Sequence, residues 1–366
     1  MIQWRDGVVT AVRREWPGAV ELSVTADGGE VRALAYPALT GRPEPGDRVL
    51  LNTTALALGL GTGGYAFVVA VPDRLPSDPA LPGHLVKGRY TPLQAVVQGA
   101  DEQGSPHHTL LAEADSLDGM PVVIADLHSA LPAVLAGLRA DRPGARAVYV
   151  MTDGGALPAW FSMTCAGLRE AGWLAGTVTS GQAFGGDLES VTLHTGLLAA
   201  RHVLGAEVAV VTQGPGNLGT GTRWGFSGVA CGEAVNAAAV LGGRPVASLR
   251  VSESDPRPRH RGVSHHSLTA YGRVALARAD VVVPGLPGEF GTQVAGQAAA
   301  LAGRHRLVRV PVTGLREALR GCPVRLSTMG RDLTADPAAF LAAAAAGRHA
   351  AALLAPPSAA AGQPLA

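Results

Sequence analysis

The densest chemistry in the chain lies in the run Glu253-Ser-Asp255-Pro-Arg257-Pro-Arg259-His260-Arg261-Gly-Val-Ser264-His265-His266. Three arginines and three histidines within ten residues make a local positive pocket on a chain whose formal net charge is only +1. Arginine forks match the paired oxygens of phosphate or carboxylate, and hydrogen bonds to such ions contribute about 1.5–3 kcal/mol each. Histidine titrates near neutrality and offers proton transfer or metal ligation. His260, His265, His266 and Asp255 are therefore candidate catalytic residues, and Arg257, Arg259 and Arg261 candidate anion ligands. Pro256 and Pro258 stiffen the segment and disfavour a helix there. Adjacent side chains do not easily face one centre, so one of His265 and His266 is expected to act and the other to support it.

A second constellation, Gln213-Gly-Pro-Gly-Asn-Leu-Gly-Thr-Gly-Thr222, follows an apolar run at 208–211. Gly214, Gly216 and Gly219 fit G-x-G-x-x-G and let backbone N–H groups approach an anion, with Asn217, Thr220 and Thr222 as polar lining. A dinucleotide site needs an acidic residue about twenty positions further on. Glu233 comes too early and Glu253 too late. The loop reads as an anion site, with a cofactor-specific site as the lesser alternative.

Polar residues at other strand ends form a third group: Asp126 and His128, then Asp153, then Ser180-Gly-Gln182 and Asp187. Asp126 and His128 suit either metal ligation or a carboxylate orienting its histidine. Two ligands do not define a site, so the cofactor stays open, a divalent metal being what these donors admit. Cys165 lies on an apolar helical stripe and reads as core, whereas Cys231 stands near a helix start, where thiolates are favoured. One lysine, Lys87, stands against 29 arginines, so a Walker-type loop or Schiff-base chemistry would have to use it.

These residues need a scaffold. With 47% hydrophobic and 16% charged residues, the 366-residue chain reads as globular, with about two domains. The hydrophobic share excludes a disordered chain, and three cysteines in so long a chain exclude a disulfide scaffold. Residues 1–72 read as a small β-barrel of SH3-like or OB-like type, from short strands separated by turn signals. A connector at 73–120 is expected to lend an edge hairpin to the second domain. An α/β domain follows at 121–350, and a flexible tail at 351–366. Apolar runs alternating with amphipathic helices predict a parallel sheet, doubly wound in preference to TIM-barrel-like. Counting 324–328 gives eight strands, which would also satisfy the barrel. In either case ligands belong at the C-terminal strand ends. The uncharged stretch 49–72 is long enough for a membrane span, but its glycines disfavour a helix.

The runs His84-Leu-Val-Lys87-Gly-Arg89-Tyr90-Thr-Pro-Leu-Gln94, Ala125-Asp126-Leu-His128-Ser129, the glycine loop and Arg259-His260-Arg261-Gly-Val-Ser264-His265-His266 resemble the bacterial domain-of-unknown-function family 3866. The resemblance spans nearly the whole chain except the tail and implies no activity or catalytic residue. It does draw Lys87 and Arg89 into the ligand-binding set, to which Gln182 is added from its strand end.

The expectation is an enzyme, a hydrolase or group transferase, acting in the cytoplasm on a small anionic metabolite, with phosphorylated ones among the candidates. A nucleotide- or ligand-binding regulatory protein without turnover is the alternative. Membrane partners are not expected and nucleic acid is disfavoured, since basic residues near the barrel aromatics are sparse. A second copy of the chain is an admissible partner.

Overall fold

The computed structural model describes residues 1–59, 63–80 and 83–354. Five strands close a barrel in the order β1-β2-β3-β5-β4: β1 (Trp4–Trp16), β2 (Ala19–Ala26), β3 (Gly29–Ala35), β4 (Arg48–Asn52) and β5 (Ala66–Ala70). The long β1 makes closure possible. Trp4–Val8 pair with β4, Gly7–Trp16 pair with β2, and register shifts near Val9 and Val12 let the strand coil between them. Val9, Val20, Leu22, Val24, Val49 and Leu51 fill the interior. The stretch 49–72 therefore contributes β4 and β5, its residues 60–62 lying outside the described set. No described helix is long and apolar enough to cross a membrane.

One end of the barrel is covered by the rest of the chain. Trp16, Tyr36, Tyr65 and Phe67 pack against Trp160 and Phe161, and Trp16 Nε1 donates to the Trp160 carbonyl at 2.7 Å. Of the barrel aromatics that a nucleic-acid surface would need, these four are packed away and Trp4 is exposed.

A short hairpin, β6 (Leu85–Lys87) and β7 (Ala95–Val97), leads out of the barrel. It stays a separate two-stranded ladder; beside it Gly99 forms an isolated bridge to Glu189 of the main sheet, and Lys87 pairs with the same residue.

The main sheet has eight parallel strands: β8 (Pro121–Ile124), β9 (Ala147–Thr152), β10 (Gly176–Ser180), β11 (Leu188–Ser190), β12 (Val208–Gln213), β13 (Arg244–Ser248), then, after a two-strand ladder of β14 (Val251–Ser252) and β15 (Gly262–Val263), β16 (Asp280–Gly285) and β17 (Arg306–Pro311). Their order is β11-β10-β9-β12-β8-β13-β16-β17, and the sheet is open. Most central positions are buried on both faces, which is why these strands read as continuous apolar runs. Val122 and Ile124 point into one core, shared with helices Leu193–Leu198, Ala230–Val240 and Gly288–Ala298. Val123 points into the other, with helices Leu131–Asp141, Met163–Glu170, Leu315–Arg320 and Pro337–Leu353.

The TIM-barrel alternative is thereby excluded, and the strand expected at 324–328 is not in the sheet. Only Ser327–Thr328 is extended there, paired with Arg331–Asp332 in a hairpin of its own. The eighth place belongs to β11 at the opposite edge, whose Glu189 and Ser190 bond to Thr179 and Ser180 and so hide its strand character from an apolar-run search. The last helix runs to Leu353, and residues 355–366 of the expected tail lie outside the described set.

Candidate functional site

The chain leaves β8 toward one face of the sheet and leaves the flanking β12 and β13 toward the other. Adjacent parallel strands whose connections diverge open a crevice at their C-terminal ends. Asp126 follows β8, the glycine loop follows β12, and Arg250 follows β13. The ladder of β14 and β15 folds the 253–261 segment back on itself, so His260 arrives beside the start of helix His265–Thr269.

The three histidine rings meet there, with centroid separations of 4.5, 4.9 and 5.0 Å. One ring nitrogen of each lies within 4.8 Å of the other two. The expectation that His265 and His266 diverge is thus corrected: they open a helix, where Ser264 caps the His266 N–H at 3.2 Å, and both rings turn toward His260. Asp126 Oδ2 lies 3.2 Å from His266 Nδ1 and accepts from Arg250 Nη1 at 3.3 Å, and Arg250 Nη1 is also 3.2 Å from His266 Nδ1. Phe226 stacks on His266 with centroids 3.8 Å apart. His260 Nδ1 is 2.8 Å from Ser264 Oγ, whereas His265 Nε2 is buried with no partner among the described residues. Burial, helped by the charges of Arg250 and Arg257, pushes His260 down to about 3. Burial, helped by His266 and Arg259, pushes His265 down to about 4, so both are neutral at pH 7. Burial would raise the Asp126 carboxyl, but Arg250 and His266 hold it below its ordinary value.

Beside the histidines is a pocket of about 100 Å³ lined by Asn217, Gly219, Gly221, Arg250, Arg257, Arg259, His260, His266 and Met329. The glycine loop and the arginine–histidine segment therefore share one cavity. Arg259 is exposed and forms no ion pair among the described residues. The loop is held by Asn217 Oδ1, which accepts from Ser227 Oγ at 2.9 Å and from Gln213 Nε2 at 3.1 Å. Gln213 Nε2 also donates to the Asp126 carbonyl at 2.6 Å, tying the loop to the histidine support. Gly214 is needed for packing: a Cβ there would stand 2.1 Å from the Ala156 carbonyl oxygen. Gly216 has φ +102°.

Other sequence candidates fall elsewhere. Asp255 is engaged by both arms of Arg257, at 2.9 and 2.8 Å, and by Arg331 at 3.2 Å, so it orients no histidine. The Arg257 hydrogen bond holds its carboxyl well below the usual carboxylate range. His128 does not join Asp126. Its Nδ1 lies 2.9 Å from the Tyr149 hydroxyl and its Nε2 2.7 Å from Ser162 Oγ, and burial lowers it to about 4. Lys87 is a buried tie, donating to the carbonyls of Gly181 at 2.6 Å and Ala183 at 2.8 Å and pairing with Glu189 at 3.4 Å. Gln182 accepts from the Gly88 N–H, and Arg89 is exposed over the Tyr90 ring. Thr220 and Thr222 bond to each other and to Gly225 inside the loop's own turn. Arg261 is exposed. Burial pushes Cys165 up to about 12 and Cys231 well above its ordinary value, so neither is a ready thiolate.

Sequence reasoning missed Arg250, Phe226, Ser264 and Met329. Arg250 carried a signal: it interrupts an apolar run at a strand's C-terminal end. Met329, with φ +49°, is placed only by its remote hairpin.

Fold and site together define an α/β protein with a five-stranded barrel and an all-parallel sheet, carrying an arginine–histidine pocket at the switch point. The sequence profile of the family described as "Protein of unknown function (DUF3866)" matches residues 32–347, and the chain belongs to that family. A search of curated proteins finds no match.

Proposed function

We propose that the protein is an enzyme, a hydrolase or group transferase, acting on a small phosphorylated metabolite. The observation that carries this reading is the shared pocket, in which Arg259, without an ion pair among the described residues, and the glycine loop adjoin neutral histidines. Its volume of about 100 Å³ suits a phosphoryl group, with the rest of the substrate extending outward. Arg259 neutralises the anion as charge redistributes in the transition state. The histidine cluster activates the attacking oxygen, and Asp126 fixes the ring orientation and tautomer of His266. Three free cysteines, Cys165, Cys231 and Cys322, are in keeping with a reducing compartment such as the cytoplasm.

The test is turnover of para-nitrophenyl phosphate and a panel of phosphorylated metabolites by the wild type and His266→Ala, with folding checked by circular dichroism. A loss of about 100-fold or more in the folded variant supports the reading. Equal turnover overturns it. Thermal stabilisation by a ligand recovered unchanged would instead favour a regulatory binding protein.

A further inference from the structure

We propose that His260, His265 and His266 together hold one divalent transition-metal ion of the zinc type, a role that goes beyond the anion pocket and does not depend on turnover. Three imidazole nitrogens form a known donor set for zinc, leaving a fourth position for water or substrate. At zinc–nitrogen distances of about 2.0–2.1 Å, tetrahedral ligands stand about 3.4 Å apart. The three nitrogens here lie within 4.8 Å of one another, so a contraction of at most about 1.4 Å completes the set.

The surroundings are those of ligand histidines. A metal-binding imidazole donates its remote N–H to an oxygen that fixes its orientation. His266 Nδ1 has Asp126 Oδ2 at 3.2 Å, and His260 Nδ1 has Ser264 Oγ at 2.8 Å, leaving the opposite nitrogen of each ring for an ion. His265 supplies an independent indication. Its Nε2 is buried without a partner, an unsatisfied acceptor or donor that a folded protein rarely tolerates. Arg250 Nη1 lies 3.2 Å from the same His266 Nδ1 and is paired with Asp126 at 3.3 Å, so its charge is neutralised locally. His260 and His266 also line the Arg259 pocket, which places the fourth coordination position toward the anion. An ion here would activate a bound water next to an arginine-held phosphoryl group.

The experiment is titration of metal-stripped full-length protein with Zn²⁺ by calorimetry and with Co²⁺ by visible absorption. The expected result is one equivalent bound and a tetrahedral Co²⁺ spectrum. Asp126→Asn should weaken Zn²⁺ binding by about 10–100-fold, and His265→Ala by more. His265→Gln, closer to the original volume, replaces the alanine variant should that fail to fold. His194→Ala, at an exposed position remote from the cluster in sequence, should bind like the wild type. No binding by the wild type, an octahedral Co²⁺ spectrum, or unchanged affinity in the folded His265 variant would overturn the proposal. Metal bound with no turnover would sink the hydrolase reading alone.

Discussion

Two groups of polar side chains in this molecule look alike in sequence and behave differently in the fold. His128 has both ring nitrogens engaged, by Tyr149 and Ser162, and Lys87 is closed off by two carbonyls and Glu189. His265 keeps an unpartnered nitrogen, and Arg259 forms no ion pair among the described residues. Closed networks hold the scaffold together. Open ones, beside a cavity, are where a ligand supplies the missing partner. A buried, charge-bearing residue is therefore not itself the mark of a site; an unsatisfied one beside a cavity is the stronger sign.

The largest test of that division is Lys87→Met. It removes the buried ammonium and leaves Glu189 without its cation, so stability should fall by about 3–5 kcal/mol in urea unfolding while phosphate affinity in the folded protein stays unchanged. A weakened phosphate affinity would move Lys87 to the open side.

His128→Ala comes next. It vacates a buried volume and strands Tyr149 Oη and Ser162 Oγ, at a cost of about 3 kcal/mol. The same histidine makes stability depend on pH. Its folded pKa, about 4, lies below the ordinary value of 6.5, so the unfolded chain binds the proton first. Its contribution is full above pH 6.5, is lost as pH falls toward about 4, and amounts to roughly 3 kcal/mol. His128→Gln should lack that part of the acid-side loss. An acid limb of equal size in the variant would place the titration elsewhere.

Arg259→Ala should have the smallest effect on the fold. As an exposed side chain without an ion pair it should change stability by less than about 0.5 kcal/mol. Phosphate affinity should drop by roughly tenfold, the loss of one charge-assisted contact. Arg257→Ala provides the contrast, since its loss exposes the Asp255 carboxylate and should register in stability first.

The sequence exposed those parts of the molecule whose physics is local. Seven of the eight strands of the sheet were visible as apolar runs, the central ones because burial on both faces demands them, although the edge strand β17 is largely exposed. β11 was not, because Glu189 and Ser190 satisfy partners brought from elsewhere in the chain. The arginine–histidine segment stood out because its residues are contiguous, and so did the glycine loop. What a single strand of letters could not show is which charges cancel. Arg257 with Asp255 is a neighbouring pair, but Lys87 with Glu189 and Arg250 with Asp126 join positions about a hundred residues apart or more, and only the folded sheet decides them. Lys87 entered the candidate set through the resemblance and His128 by its place at a strand end, and in the fold the polar atoms of both are engaged by the scaffold.

The most direct measurement is a crystal structure of the protein soaked in inorganic phosphate. Tetrahedral density touching Arg259 and the backbone of Gly219 to Gly221, beside His260 and His266, is the expected result. Phosphate bound elsewhere on the surface, with this pocket holding only water, would contradict the assignment of the site.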